Sequence, residues 1–249
     1  MARYVGVDWA SRGWLVVATD GGDWTARMHP SMHSVWFTHR DADAILVDMP
    51  IGLPESRRRE CDRQAKEFLG SRSSSVFWTP CRVAVEAPTY EQAKQANEDC
   101  RGDSLSSQAW GLIPHIQEVD RLLRDGVDAE TTILESHPEV CFTALYDGGS
   151  LPSKHDDDGI EARRAVLEGL DDSIAGVYER FEASLDAQPA WARRIGESNR
   201  DDLLDAMVLA LTAKRGAGEF RTLPDDPPRD AEGLPMQIVS AGRDAIGRR

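Results

Sequence analysis

Residues 3–29 read RYVGVDWASRGWLVVATDGGDWTARMH. The first run, RYVGVD, alternates in character and stops on an acid. The residues ASRG turn the chain into WLVVAT (14–19), and GGD (21–23) turns it again into WTARMH (24–29). Small and glycine-rich turns between β-prone runs of this length specify hairpins, because glycine and aspartate supply the backbone angles that tight reversals need. The stretch predicts an antiparallel meander of three strands.

The elements that follow extend this sheet. SMHSVWFTHR (31–40) predicts a short helix, and DAILVDMPIGLP (43–54) an apolar strand running into a Pro/Gly loop. A helical crossover between strands three and four makes the fourth parallel to the first. Helices are then predicted at 56–70, 89–100 and 104–126, the last kinked or interrupted by Pro114. AETTILESHP (129–138) returns to a strand that closes at Glu135, and Pro138 opens a helix. Further helices are expected at 159–170, 171–185 and 199–218, with edge strands at 219–224 and 236–240. Three antiparallel strands followed by two parallel ones make an α/β fold of ribonuclease H-like topology. Its mixed five-stranded sheet carries helices on both faces. The 249 residues are expected to form a single domain with a helical insertion at about 55–128.

Composition narrows the setting. No apolar run approaches the ~18 residues of a membrane span, and the first residues enter a strand pattern directly, so a cytoplasmic protein without a membrane partner is expected. The cysteines, at 61, 81, 100 and 141, form no CxxC pair and read as free thiols. The net charge is −14, and the only lysines are Lys66, Lys94, Lys154 and Lys214. An acid-rich, lysine-poor chain suits a salt-loaded cytoplasm, where the Debye length falls to ~3 Å at about 1 M, and points to a halophilic source. In dilute buffer this charge opposes a polyanionic partner; molar salt weakens that objection.

Acids close the two parallel neighbours at the centre of the sheet. Asp8 ends strand one and Asp48 ends strand four, so both emerge at the carboxyl edge, where open α/β sheets bind ligands. Asp201, Asp202 and Asp205 crowd the start of the last helix. A cap and the helix dipole favour one or two acids there, whereas a third on one face implies a shared cation. Asp8, Asp48 and Asp205, joined by either Asp202 (i, i+3) or Asp201 (i, i+4), are therefore candidate ligands of Mg²⁺ or Mn²⁺, which prefer oxygen donors. Two such ions ~4 Å apart serve phosphodiester hydrolysis. Taken singly, each acid also has a structural use, as a turn residue at Asp8 and Asp48 or an N-cap at Asp201.

The motifs GVDWA (6–10), DMPIGLP (48–54), SSVFWTP (74–80), QAWGLIPHIQEVD (108–120), ESHPEVCF (135–142), KHDDDGIEARR (154–164) and DDLLDAMVLALTA (201–213) run in series. Together they resemble the family known as domain of unknown function 429, whose members are regarded as ribonuclease H-like nucleases. The final DxxDA is also similar to that of Holliday-junction resolvases in the wider superfamily. The resemblance implies metal ligation by Asp8, Asp48, Asp202 and Asp205, with Glu135 as a further catalytic acid or ligand and Glu139 one helical turn on. It implies that His137 orients a carboxylate or a phosphate, and that Lys154, Arg163 and Arg82 reach substrate phosphates, with Arg57, Arg58 and Arg59 as candidates for the same task. Phe77 and Trp78 either stack on a base or pack the insertion. The function so implied is metal-dependent hydrolysis of DNA or RNA. The alternative is a non-catalytic binding or regulatory protein that keeps a metal or small-ligand site. A homodimer is left open.

Overall fold

The computed structural model describes residues 2–125, 132–146, 151–154, 156–184, 200–216 and 219–242. The chain divides into two compact units. One comprises Met1–Asp48, Thr131–Phe220 and Ser240–Arg249; the other comprises Met49–Glu130 and Arg221–Val239. The segment expected as an insertion is thus a unit that begins at Met49 and takes in 221–239 as well.

In the first unit β1 (Tyr4–Trp9), β2 (Trp14–Thr19) and β3 (Trp24–His29) form the meander, and β4 (Ala44–Val47) and β5 (Ile133–Glu135) extend it in parallel. The sheet order is β3-β2-β1-β4-β5, which is the mixed five-stranded arrangement of the ribonuclease H-like description. β1 and β4 run in parallel register, with Val7 opposite Val47. Among the described residues the helices of this unit are α1 (Met32–His39), α6 (Pro138–Leu145), α7 (Asp157–Leu170), α8 (Val177–Ser184) and α9 (Arg200–Gly216). Ser31 caps α1 by accepting the Ser34 N–H at 3.1 Å. The 171–185 stretch is a short 3₁₀ turn, Asp172–Ile174, followed by α8. Residues 129–131 of the expected fifth strand, residue 126 of the 104–126 helix, 185 of the 171–185 helix, and 199 and 217–218 of the last helix lie outside the described residues. No described helix is long and apolar enough to cross a membrane.

The second unit contains α2 (Glu60–Leu69), α3 (Arg82–Val85), α4 (Tyr90–Arg101) and α5 (Ser107–Arg124). Pro114 lies inside α5 without ending it. Two buried arginines organise this unit. Arg59 donates to Asp62 and to the Ile51 carbonyl, and Asp62 in turn accepts the Thr79 N–H at 3.0 Å. Arg82 forks onto Asp120 through two 3.1 Å contacts and reaches Asp230 at 2.6 Å. Asp230 also accepts the backbone N–H groups of Leu53 and Leu234. Removing one partner of a buried ion pair strands the other charge, which costs ~3–5 kcal/mol. Arg82→Met is therefore expected to lower the urea-denaturation stability by about that amount. An unchanged midpoint would show that the network contributes nothing.

Candidate functional site

The site begins with a missing side chain. A Cβ placed on Gly6 would lie 2.1 Å from the Ala206 carbonyl oxygen and 2.3 Å from the Ala210 nitrogen. Only glycine on β1, facing alanines on α9, lets helix and strand approach this closely. Strand alternation puts Asp8 on the same face as Gly6, about 6.6 Å further along. Asp205 immediately precedes Ala206, and Asp202 comes about one helical turn back, roughly 6 Å along the axis. The Gly6–Ala206 contact therefore sets these acids level with Asp8. Asp48 follows Val47 on the adjacent strand, and its N–H continues the ladder by donating to the Val7 carbonyl at 2.9 Å. The sheet and α9 bring the charges of Asp48, Asp202 and Asp205 to bear on Asp8.

Their electrostatics reflect crowding. Burial pushes the Asp8 carboxyl well above the usual range, and the charges of Asp48, Asp205 and Asp202 push it further. Asp48 is raised by burial, with His137 and Lys154 working against the rise and Glu139 adding to it. Asp205 is raised to about 6: burial dominates, Lys154 opposes, and Asp48 and Glu139 add. The Trp9 N–H donates to Asp8 Oδ1 at 2.8 Å. Asp205 Oδ1 is buried without a hydrogen-bond partner.

A lysine enters the cluster. Lys154 Nζ lies 2.6 Å from Asp205 Oδ2 and 3.6 Å from Asp201. Burial disfavours its charge, yet Asp205, Asp8 and Asp201 hold its pKa above the ordinary value. Its loop is clamped from behind. A Cβ on Gly159 would overlap the Ser153 carbonyl, and Arg163 donates to the Pro152 carbonyl at 2.9 Å. Arg163 also reaches Glu139 at 2.5 Å.

Residues 6–229 match the model of a family described as "Protein of unknown function (DUF429)". The chain belongs to the DUF429 family. Neither curated proteins nor solved structures yield a match.

In this DUF429 chain the remaining candidates separate by burial and by face. Arg163 is 1% exposed and Arg82 8%, and both guanidinium groups are held by internal carboxylates. This corrects the expectation that they reach substrate phosphate: Arg163 positions the Lys154 loop, and Arg82 belongs to the second unit's core. Glu135 pairs with Val47 in register. Alternation therefore sends it to the face opposite Asp8 and Asp48, and it is Glu139 whose charge bears on Asp48 and Asp205. His137 stands at the N-terminus of α6, within electrostatic reach of Asp48. The arginine triplet is split: Arg59 is buried on Asp62, whereas Arg58 pairs with Asp103 and lies 4.2 Å from the centre of the Trp78 ring. Trp78 is thus covered by a cation, with Lys66 5.0 Å from the same ring.

The donor set fits a hard divalent cation in chemistry and charge, because it consists of oxygen ligands in excess of their counter-charge and includes one bare buried acceptor. Among the described residues no three such side chains stand at ligand spacing. Lys154 lies on Asp205, where a cation would otherwise neutralise it.

Proposed function

We propose that this protein is a divalent-metal-dependent phosphodiester hydrolase acting on DNA or RNA. One observation carries the reading: Asp8, Asp48, Asp202 and Asp205 press their charges on one another at the carboxyl edge of the sheet, with Lys154 as the cation among them. These four acids would hold Mg²⁺ or Mn²⁺. Such an ion, when bound, stabilises charge at phosphorus and lowers the pKa of a water. The chain's own residues do the rest. Trp9 orients Asp8, Asp205 presents a bare oxygen, and Lys154 holds a firm positive charge in a part-exposed position where a phosphate would approach.

The same Lys154 contact favours a second reading. An ammonium already seated on Asp205 suits a ribonuclease H-like binding or regulatory protein whose acids are balanced internally. Manganese titration separates the two. A ligand that binds only the folded state stabilises it by RT ln(1 + [L]/Kd), which thermal melting in high KCl reads directly, a medium suited to this acid-rich chain. Under the hydrolase reading, Mn²⁺ raises the melting temperature and nucleolytic products form on single-stranded, duplex or branched substrates. Lys154→Met is then expected to bind Mn²⁺ about tenfold more tightly, equivalent to ~1.4 kcal/mol, because a competing cation is gone. No Mn²⁺ effect in either protein, together with no cleavage of any substrate, would select the second reading.

A further inference from the structure

A second polar site lies on the other face of the sheet. Val17 pairs with Gly6 and so faces α9, which turns Val16 and Ala18 the opposite way. A cavity of about 210 Å³ opens over them, bordered by β3, the end of α1 and the residue before β1. Arg27 stands directly across from Val16. The lining includes the guanidinium groups of Arg3 and Arg27 and the imidazole of His39.

The two arginines lack the carboxylates that an acidic chain would be expected to supply. Among the described residues, no ion pair engages the guanidinium of Arg3 or Arg27. Asp20 and Asp23 also line the cavity but pair with neither arginine. Arg3 is anchored through its backbone, whose N–H donates to Asp43 at 2.7 Å. His39 is 9% exposed, with Nδ1 unpartnered. Its ring lies 5.7 Å from that of His29, which is 7% exposed and whose Nε2 is also unpartnered. The positive potential registers on both rings. Burial, then His29, Arg3 and Arg27, push the His39 imidazole down to about 4. Burial and Arg27 lower that of His29.

We propose that this pocket binds a small phosphomonoester, with Arg3 and Arg27 on the phosphate oxygens and the ester substituent over Val16 and Ala18. The planar guanidinium fork matches phosphate oxygens in pairs, and the apolar floor offers cover to a substituent that inorganic phosphate lacks. A nucleic-acid strand is disfavoured, because its neighbouring phosphates would meet Asp20 and Asp23. The proposal is independent of the hydrolase reading, whose acids lie on the opposite face.

Calorimetric titration of the full chain with phenyl phosphate, and separately with inorganic phosphate, tests the pocket at fixed ionic strength. Binding of phenyl phosphate is expected, with the His39 ring resonances shifting during the titration. Arg3→Gln and Arg27→Gln are each expected to weaken it about tenfold, the loss of roughly one charge-assisted contact, while melting like the parent. Asp205→Asn is expected to leave it unchanged. Absence of binding, indifference to both arginine substitutions, or loss in Asp205→Asn would overturn the assignment. Equal affinity for inorganic phosphate would overturn the role given to Val16 and Ala18.

Discussion

Asp205→Asn is expected to abolish both Mn²⁺ stabilisation and nucleolytic turnover while leaving the apo fold intact. Asp205 is 2% exposed, its Oδ1 has no donor, and burial raises its carboxyl to about 6 in spite of the Lys154 contact on Oδ2, so the apo protein gains little from that charge. Asparagine keeps the shape and removes the repulsion with Asp8 and Asp48. Substitutions behind a metal ligand already cost 10–100-fold in affinity or activity, so loss of a ligand itself should exceed ~100-fold. The pH dependence gives an independent check. The Asp205 carboxyl lies at about 6 in the fold against an ordinary 3.8, and Asp8 is raised as well. A fold that holds these protons more tightly than the unfolded chain has their stabilisation in full below pH ~4 and loses it as the pH rises through ~6. Under the hydrolase reading a divalent cation takes over above that range. Mn²⁺ should therefore raise the melting temperature strongly near pH ~8 and little near pH ~5, with the difference flattened in Asp205→Asn. Equal Mn²⁺ shifts in parent and variant would remove Asp205 from the metal site.

The second large effect concerns the contact that aligns the acids. Gly6→Val places atoms where the Ala206 carbonyl and the Ala210 nitrogen already lie. These are backbone groups of a hydrogen-bonded helix, so they cannot rotate aside as a side-chain tip would. β1 and α9 must part, and with them the packing of Leu209 and Ala210 against the Gly6 face of the sheet, where all are buried. A loss above ~4 kcal/mol is expected, enough to leave little folded protein. Gly22→Ala is the matching control, since a Cβ there meets nothing within 4 Å; its midpoint should stay within ~0.5 kcal/mol of the parent. If Gly6→Ala melted like the parent, the close approach that brings Asp202 and Asp205 level with Asp8 would be wrong, and the proposed site would lose its geometric basis.

Local patterning accounts for how much could be read in advance. The meander was legible because turn residues between β-prone runs act over a few positions: β2 and β3 occupy the expected 14–19 and 24–29, and β1 is displaced by one residue. Pro114 was a weaker guide, since the rest of the 104–126 stretch has the helical pattern to carry α5 through it. The acids at strand ends were legible because parallel neighbours share an edge. Charges on the long polar side chains were not. KHDDDGIEARR reads as a row of substrate-facing cations, yet Lys154 turns to Asp205 while Arg163 turns inward to Glu139 and the Pro152 carbonyl. Glu135 looks as well placed as Glu139 in ESHPE until the register with Val47 assigns it to the other face.

The sequence by itself determined the order and type of the sheet elements, the common edge of Asp8 and Asp48, and membership of the DUF429 family. These follow from backbone periodicity and from turn chemistry, which are short-range. The tertiary structure alone decided which arginines are buried, that Lys154 sits among the carboxylates, and that Arg3 and Arg27 line one cavity with Val16 and Ala18 of β2. Each of these depends on which side chains, dozens of residues apart, compete for the same few charges.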